Sequence, residues 1–513
     1  MLLIIFLYFP VGLISLIFFL IYWKLVRPQK YYYDTFRNQN IPCEPFVPLI
    51  GQIPEIRCAS ENDATMDYRL KLIEKHGHVF VTGFGPSIKL NVNEPDMLAD
   101  IFGRSHAQDY GKPNLTEKFF QPLIGAHNLL ISQGEEHERA RKMLNPAFHF
   151  VKLQGMVSIM IEQTRKAIDE LLISKTNEKS IVDLQVELNA LTLNIITSSA
   201  FGQSFDSITD AKRNLCQTFI ELSEAIIYRT LRGVNLIPIV SQLPFWYKNM
   251  VENNSKKLAN FVDQIIADRR SDRSKSLSSN EDILDLLLSA VDTQGKSFTN
   301  EEIKDQALTF VLAGHETTGN LMTWCMFILM TNENVFKACQ NEIDRIFPNG
   351  IEPTYEHLNE LVVCEAVLYE TLRLYPPASF IARKCLREHY IGSENHRQIY
   401  IPKGAEILVN TYALHRRKEF WSNPDEFDYT RWIRDPLTGR KPKLTHPFCY
   451  LPFAAGPRNC IGQNFALLEA KVILAMFVQR CHFELEPGQK IVPDLRITIH
   501  AKYGLRAKVT KRL

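Results

Sequence analysis

The sequence predicts a mainly helical domain with a small β component, preceded by one N-terminal transmembrane helix. Three observations carry this expectation. Residues 2–23 contain no charged side chain, helical apolar spacing dominates from Asp96 onward, and strand-like alternation is confined to residues 77–93, around 397–409 and near 483–509. A chain of 513 residues with 45% apolar and 23% charged side chains can bury a large core. Its formal charge of +2, without a long charged block, gives no reason to expect nucleic acid. The ten cysteines are scattered, with no C-x-x-C pair and no zinc-like spacing, which suits a reducing compartment rather than a disulfide scaffold. No repeat of solenoid or propeller length is evident.

Taken in order, Leu2 to Trp23 is long enough to cross a bilayer, and Pro10 and Gly12 are tolerated in a membrane helix. Tyr22 and Trp23 stand at the expected interface, and Lys24, Arg27 and Lys30 follow, which places the remainder in the cytosol by the positive-inside rule. A cleaved signal peptide is the competing reading; the run is too long for one, lacks a basic start and has no small-residue cleavage site. Residues 1–24 are therefore read as an anchor and 25–55 as a basic, proline-rich hinge. Pro42, Pro45, Pro48 and Pro54 predict a stiff, extended connector there. Residues 56–513 form the domain proper. Its first element is a hairpin turning at Gly83-Phe-Gly85-Pro86.

Thr299-Asn-Glu-Glu302 is a capping box that opens a long helix, continuous to Met330 and about 45 Å in length. Midway its apolar pattern is broken by Ala313-Gly314-His315-Glu316-Thr317-Thr318. A glycine inside a helix costs about 1 kcal/mol relative to alanine, so something is gained at that turn. Thr317 shares a face with Ala313 and Gly314, and its hydroxyl can bond back to the carbonyl four residues earlier. Glu370-Thr-Leu-Arg373 pairs opposite charges at i, i+3 on a helix that ends at Pro376-Pro377, and His137 and Arg141 share a helix face at i, i+4. In Phe453-Ala-Ala-Gly456-Pro-Arg458-Asn-Cys460-Ile-Gly462 a single cysteine stands in a turn-rich loop just before an apolar helix from Gln463 to about Val478. Amide groups and the helix dipole are expected to lower its pKa, the glycines to admit a flat, bulky group, and Arg458 to meet an acid on that group.

Together these stretches resemble the cytochrome P450 family, of the eukaryotic microsomal, membrane-anchored type, across essentially the whole chain. The cysteine loop matches F-x-x-G-x-R-x-C-x-G at every fixed position, the central helix matches A-G-x-E/D-T-T, and Pro424 to Trp432 resembles P-x-x-F-x-P-x-R-[FW], with Tyr429 where the second proline usually stands. The resemblance implies a cytochrome P450 fold and a haem b cofactor whose iron takes Cys460 as axial ligand, with Phe453, Gly456, Arg458 and Gly462 around it. It further implies a small face at Ala313 and Gly314 where dioxygen binds, and catalytic roles for Thr317 and Glu316. Arg141 and Arg383 would contact the haem propionates, as would His137, which replaces a tryptophan; His415 would be a further contact or a structural residue. Glu370, Arg373 and Arg431 would form a buried triad behind the loop. Ala313 stands where part of the family carries a glutamate esterified to haem, so non-covalent haem is expected.

By the same resemblance the reaction inserts one oxygen atom from dioxygen into a lipophilic organic substrate (fatty acid, sterol, terpenoid or xenobiotic). Electrons would come from NADPH through NADPH-cytochrome P450 reductase, with cytochrome b5 as an accessory partner. The enzyme would sit in the endoplasmic reticulum membrane with its catalytic domain in the cytosol, and Arg139 and Lys142 would receive an acidic partner surface. A peroxide-rearranging isomerase and a non-catalytic haem protein are rival readings. The Glu316-Thr317 pair speaks against the first, and occupation of every catalytic position against the second. Stretches Ser105–Leu130, Phe219–Pro244 and Pro493–Tyr503 would line the substrate site without naming the substrate.

Overall fold

The computed structural model describes residues 2–103, 106–173, 181–202, 209–236, 238–273, 282–393 and 397–512; Ser105, expected in the substrate lining, lies outside them. The N-terminal helix, Leu2–Ile21, runs on through a π-helical turn, Tyr22–Val26, into a further helix, Arg27–Arg37. The part from Pro10 to Arg37 is long and apolar enough to cross a membrane. The helix thus passes the expected end of the anchor at residue 24. Pro28 does not stop it; the residue follows directly on the π-helical turn, where the regular hydrogen-bond ladder is already interrupted.

Beyond Arg37 the chain is docked and not extended free of the domain. Phe36 is fully buried, Tyr32 donates to Lys403 O at 3.1 Å, and Tyr33 donates to Glu44 O at 3.1 Å. Cys43 bridges Val81 and Gly51 bridges Phe84, so the proline-rich stretch lies along the edge of the main sheet.

That sheet has five strands in the order Val79–Phe84, Ser87–Val92, Glu406–Asn410, Phe380–Cys385, Tyr110–Gly111. The first two form the expected hairpin, with Phe84 paired to Ser87 and Gly85 in a left-handed turn conformation. The fourth was not anticipated, because polar Arg383 and Lys384 interrupt its apolar alternation. Ile381, Arg383 and Cys385 are nevertheless buried on one side, while Phe380, Ala382 and Lys384 are half-buried on the other.

Besides three smaller sheets, of which one has three strands and two have two, the remainder is mainly helical and packs around the central helix, Asn300–Thr331, whose 32 residues span about 48 Å. Its capping box forms: Glu302 N–H donates to Thr299 Oγ1 at 3.2 Å, and Thr299 N–H donates to Glu302 Oε2 at 2.7 Å. Its closest helical neighbour is Leu184–Phe201, seated on two glycines of the central helix. A Cβ on Gly314 would stand 2.7 Å from Ile196 Cγ1, and one on Gly319 would run into the side chain of Asn189. The nine cysteines whose side chains are described are all free.

Glu370 lies in the helix Val362–Leu374 with no solvent exposure. It accepts from Arg373 Nε at 2.9 Å and Nη2 at 2.7 Å, Trp432 Nε1 at 2.7 Å, Asp428 N–H at 3.0 Å and Arg431 Nε at 3.3 Å. Arg373 spends its remaining donors on His415 O, Pro424 O and Glu426 O. The ring of His415, also fully buried, accepts the Leu451 N–H at its Nε2, 2.8 Å away. His415 is therefore structural. It links the Glu370 network to the chain that leads into the cysteine loop.

Losing one partner of such a buried pair costs about 3–5 kcal/mol, so Glu370→Ala and Arg373→Ala are each expected to yield little folded protein. Unchanged yield and melting temperature in either variant would overturn this role. Burial and the nearby Arg373 and Arg416 charges push the His415 pKa down to about 3. Its contribution to stability is complete above about pH 6.5 and is lost as pH falls from there toward 3. His415→Gln keeps an acceptor for Leu451 and should flatten the acid limb of the stability curve by up to about 1.4 kcal/mol per pH unit, read from denaturant melts.

Candidate functional site

The cysteine loop is closed by the Cys460 N–H donating to Phe453 O at 2.9 Å and the Asn459 N–H donating to Gly456 O at 3.0 Å. Ala454, at φ +57°, and Gly456, at φ +73°, turn the chain through left-handed conformations. Gly456 is required for a reason other than the one expected: a Cβ there would run into the backbone carbonyl of Phe102. At Gly462, just before the helix Gln463–Arg480, the nearest atom to an added Cβ is Phe148 Cε1 at 3.8 Å, so no protein neighbour demands the glycine.

Cys460 is exposed by surface area, yet enough protein surrounds it that burial raises its thiol above the ordinary value. The Gly462 N–H and the Arg141 charge pull in the opposite direction and prevail less. The expectation that the loop alone lowers this pKa is therefore corrected, because desolvation outweighs the amide and the charge.

Around the loop stands a group of cations. Arg458 donates from Nη2 to Ser132 O at 2.9 Å, while its Nη1 is buried without a partner. Arg383, 3% exposed, has its pKa pushed down to about 9 by burial and by Arg458; Arg458 itself is pushed down to about 10 by burial. Lys112 is driven well below its usual range by burial, Arg383 and Arg458. His137 is pushed down to about 3 by burial and by Arg458, Arg141, Lys112 and Arg383, and so is neutral. Among the described residues, no carboxylate pairs with Lys112, Arg383 or Arg458. Arg141 grips the loop itself: its Nη1 donates to Asn459 O at 2.6 Å, its Nη2 to Asn459 Oδ1 at 2.8 Å and its Nε to Asn145 Oδ1 at 3.1 Å.

On the central helix, Ala313 is the one exposed residue between Glu301 and Thr331. A helix otherwise buried or half-buried thus has one open point on its surface. Thr317 donates to Ala313 O at 2.7 Å. Gly314 does not contribute to that opening, contrary to expectation, but faces Ile196 of the neighbouring helix. His315 is buried and bonds to Val311 O. Glu316 accepts from Thr498 Oγ1 at 2.7 Å, and Asn320 Nδ2 in turn donates to Thr498 Oγ1 at 2.8 Å.

Lys112 and Thr498 lie in the stretches Ser105–Leu130 and Pro493–Tyr503 expected to line the substrate site, but the sequence singles out neither. Each belongs to the site through contacts far along the chain, and no local pattern marks either one. Arg139 also departs from expectation. It is bound to Asp292, Glu302 and Ser297 O, which leaves exposed Lys142 as the free member of that pair for a partner surface.

A haem fits these residues. Its soft iron suits a cysteine sulfur, its two propionates suit a cluster of unpaired cations with an orphaned Arg458 N–H, and the opening at Ala313 leaves room on the central helix.

Comparison with known proteins agrees. Residues 41–503 match the family model for cytochrome P450. Cytochrome P450 72A15 of Arabidopsis thaliana is 28% identical over 500 residues, covering 94% of this chain and 93% of its own length. Human cytochrome P450 4V2 is 32% identical over 396 residues, covering 73% and 71%. The cytokinin hydroxylase of Arabidopsis thaliana is 27% identical over 514 residues, covering 94% and 93%. The chain belongs to the cytochrome P450 family of haem-dependent monooxygenases.

Proposed function

We propose that the protein is a single-pass enzyme of the endoplasmic reticulum membrane that inserts one oxygen atom of dioxygen into a lipophilic organic substrate. Electrons reach it from NADPH through a membrane-bound flavoprotein reductase, with cytochrome b5 as an accessory donor. The observation that carries this reading is the group of cations, Lys112, Arg383 and Arg458, left without a carboxylate beside the loop of Cys460.

Cys460 would hold the haem iron, and Arg383, Arg458 and Lys112 the propionates. Neutral His137 would add one hydrogen bond to a propionate, and Arg141 would fix the turn that carries the sulfur by holding both oxygens of Asn459. Haem held by thiolate supplies the reductive cleavage of the O–O bond. Ala313 keeps the helix surface small there and offers no carboxylate for an ester, so the haem is held non-covalently. Thr317 keeps its hydroxyl at the opened turn through its bond to Ala313 O, and its oxygen can accept a proton from one side and pass one on. Glu316, aimed by Thr498 and Asn320, is the acid that renews that proton through water.

The N-terminal helix followed by Lys24, Arg27 and Lys30 supports the membrane location and the cytosolic side of the domain. A lipophilic substrate follows from that location, since such compounds partition into the bilayer. The relative named cytokinin hydroxylase supports hydroxylation as the reaction type.

The reduced, carbon-monoxide-bound protein is expected to absorb at the wavelength of a thiolate-ligated haem, and Cys460→His to lose that band. A histidine-type spectrum in the unaltered protein overturns the reading. Thr317→Ala should go on consuming NADPH while product per NADPH falls at least about tenfold, a modest share of the roughly 10²–10⁴-fold that general acid–base groups contribute. Product and NADPH use falling in equal proportion would remove Thr317 from proton handling.

A further inference from the structure

Away from the loop of Cys460, three metal-ligating side chains meet at the edge of the main sheet. One donor atom from each of His106, Asp109 and His389 lies within 4.8 Å of the other two. Asp109 ends the short 3-10 turn Ala107–Asp109, which leads straight into the edge strand Tyr110–Gly111, and His389 opens the strand His389–Ile391. Tyr110 pairs with Cys385, and the Leu386 N–H donates to Asp109 O at 2.7 Å, so these distant segments of the chain are held side by side. His106 Nδ1 stands 3.0 Å from Asp109 Oδ2, and the rings of His106 and His389 lie face to face with centroids 4.3 Å apart.

Two features suit this group to a metal ion. The first is the orientation of His389. Its Nδ1 lies 2.8 Å from Arg387 O, and because a carbonyl only accepts, that nitrogen carries the proton and leaves the lone pair on Nε2. A backbone carbonyl on the far nitrogen is the usual support of a histidine that ligates a metal. Nε2 accepts from the Tyr110 hydroxyl at 2.9 Å, a bond that a metal would replace. The second is the weak compensation of Asp109. It is buried, and besides His106 the cation it meets is Arg387, whose Nε lies 3.4 Å from Oδ1 on a side chain that is 81% exposed. Such an exposed arm contributes little, and it leaves Oδ2 to His106.

The spacing also fits. A tetrahedral zinc ion with bonds of about 2.0–2.2 Å spaces its donors about 3.4 Å apart, close to the separation of His106 and Asp109. The two stacked rings must splay to share one ion, and His106, half-buried, has room to turn.

We propose that His106, Asp109 and His389 bind a divalent transition-metal ion of the zinc class, with water or the Tyr110 hydroxyl beside it. Two imidazoles and one carboxylate are a donor set for such an ion, whereas magnesium and calcium require oxygen shells. The ion would clamp the edge strand to its neighbour. Gly111 pairs with Lys384 in the same ladder, so the two strands carry Lys112 and Arg383 onward from the clamp. The site is separate from the chemistry at Cys460 and does not depend on it.

The test uses the full-length, haem-loaded protein, cleared of loosely held metal with a chelator and dialysed against zinc chloride. Zinc and iron are then counted by atomic emission. One zinc per haem iron is expected, with a melting temperature that rises with zinc concentration. Excess magnesium or calcium should not displace it. His106→Gln and His389→Gln should each weaken zinc binding at least about tenfold, the least that losing even an outer partner of a metal ligand costs. Their carbon-monoxide spectra should match that of the unaltered protein, which shows that the variants are folded and loaded. No zinc retained by the unaltered protein, or undiminished affinity in both variants, overturns the inference. A measurement on the unaltered protein stands independently of the variants: zinc should shield His106 from diethyl pyrocarbonate, mapped by mass spectrometry, while exposed His482 stays reactive. Equal labelling of His106 with and without zinc also overturns it.

Discussion

A carboxylate sealed from water at Glu370 is the constraint on which the geometry of the site depends. An ionised carboxyl in that position is tolerable only because five donors converge on its two oxygens, from Arg373, Arg431, Trp432 and the Asp428 backbone. Those donors come from the helix Val362–Leu374 and from the turn Tyr429–Trp432, so the charge can be satisfied only when the two are in register. Arg373 then fixes the backbone at His415, and the His415 ring fixes Leu451, two residues before the cysteine loop begins. The position of Cys460 is inherited from this chain of hydrogen bonds. Buried ion pairs add little net stability compared with apolar packing, but they discriminate sharply against misplacement. That suits a loop whose sulfur must be held in one place.

The cations on the other side of that loop present the opposite situation. Lys112, Arg383 and Arg458 are held below their usual pKa values mainly by burial, to which Arg458 adds its charge at Lys112 and Arg383, and Arg383 its own at Lys112; among the described residues no carboxylate pairs with any of them. The polypeptide alone therefore bears the cost of those buried charges, and an acidic ligand bound among them would relieve it. Cofactor binding and folding are linked by mass action in such a case, and the loaded protein gains stability that the polypeptide lacks alone. The raised pKa of Cys460 has the same origin, since burial outweighs the Gly462 amide and the Arg141 charge.

Much of this was legible in the sequence, for identifiable reasons. The cysteine loop, the capped central helix, the Glu370–Arg373 pair and the Gly85–Pro86 hairpin are local patterns whose physics is complete within about ten residues. What was missed depends on distant partners. Thr498 reaches Glu316 across 182 positions, and Lys112 joins a cluster whose other members lie elsewhere in the chain. Gly314 was assigned to the wrong face because helical periodicity identifies neighbours on one side without saying which neighbouring helix lies there; Ile196 decides it. The strand Phe380–Cys385 was hidden because Arg383 is a buried charge in an otherwise alternating segment. The hinge expected over residues 25–55 begins instead as helix, since Arg27–Arg37 continues the N-terminal helix past Pro28.

The continuous path from Leu2 to Arg37 carries a mechanical consequence. Because Tyr33 and Phe36 are buried in the same core as the main sheet, and Tyr32 is bonded to Lys403, the apolar helix is coupled to the domain by a stiff arm instead of a swivel. A tilt imposed on that helix by a bilayer would be passed on as a rotation of the whole domain, sheet included. Bilayer thickness would then set the height at which the domain meets the lipid, so that the membrane acts as a lever on the domain.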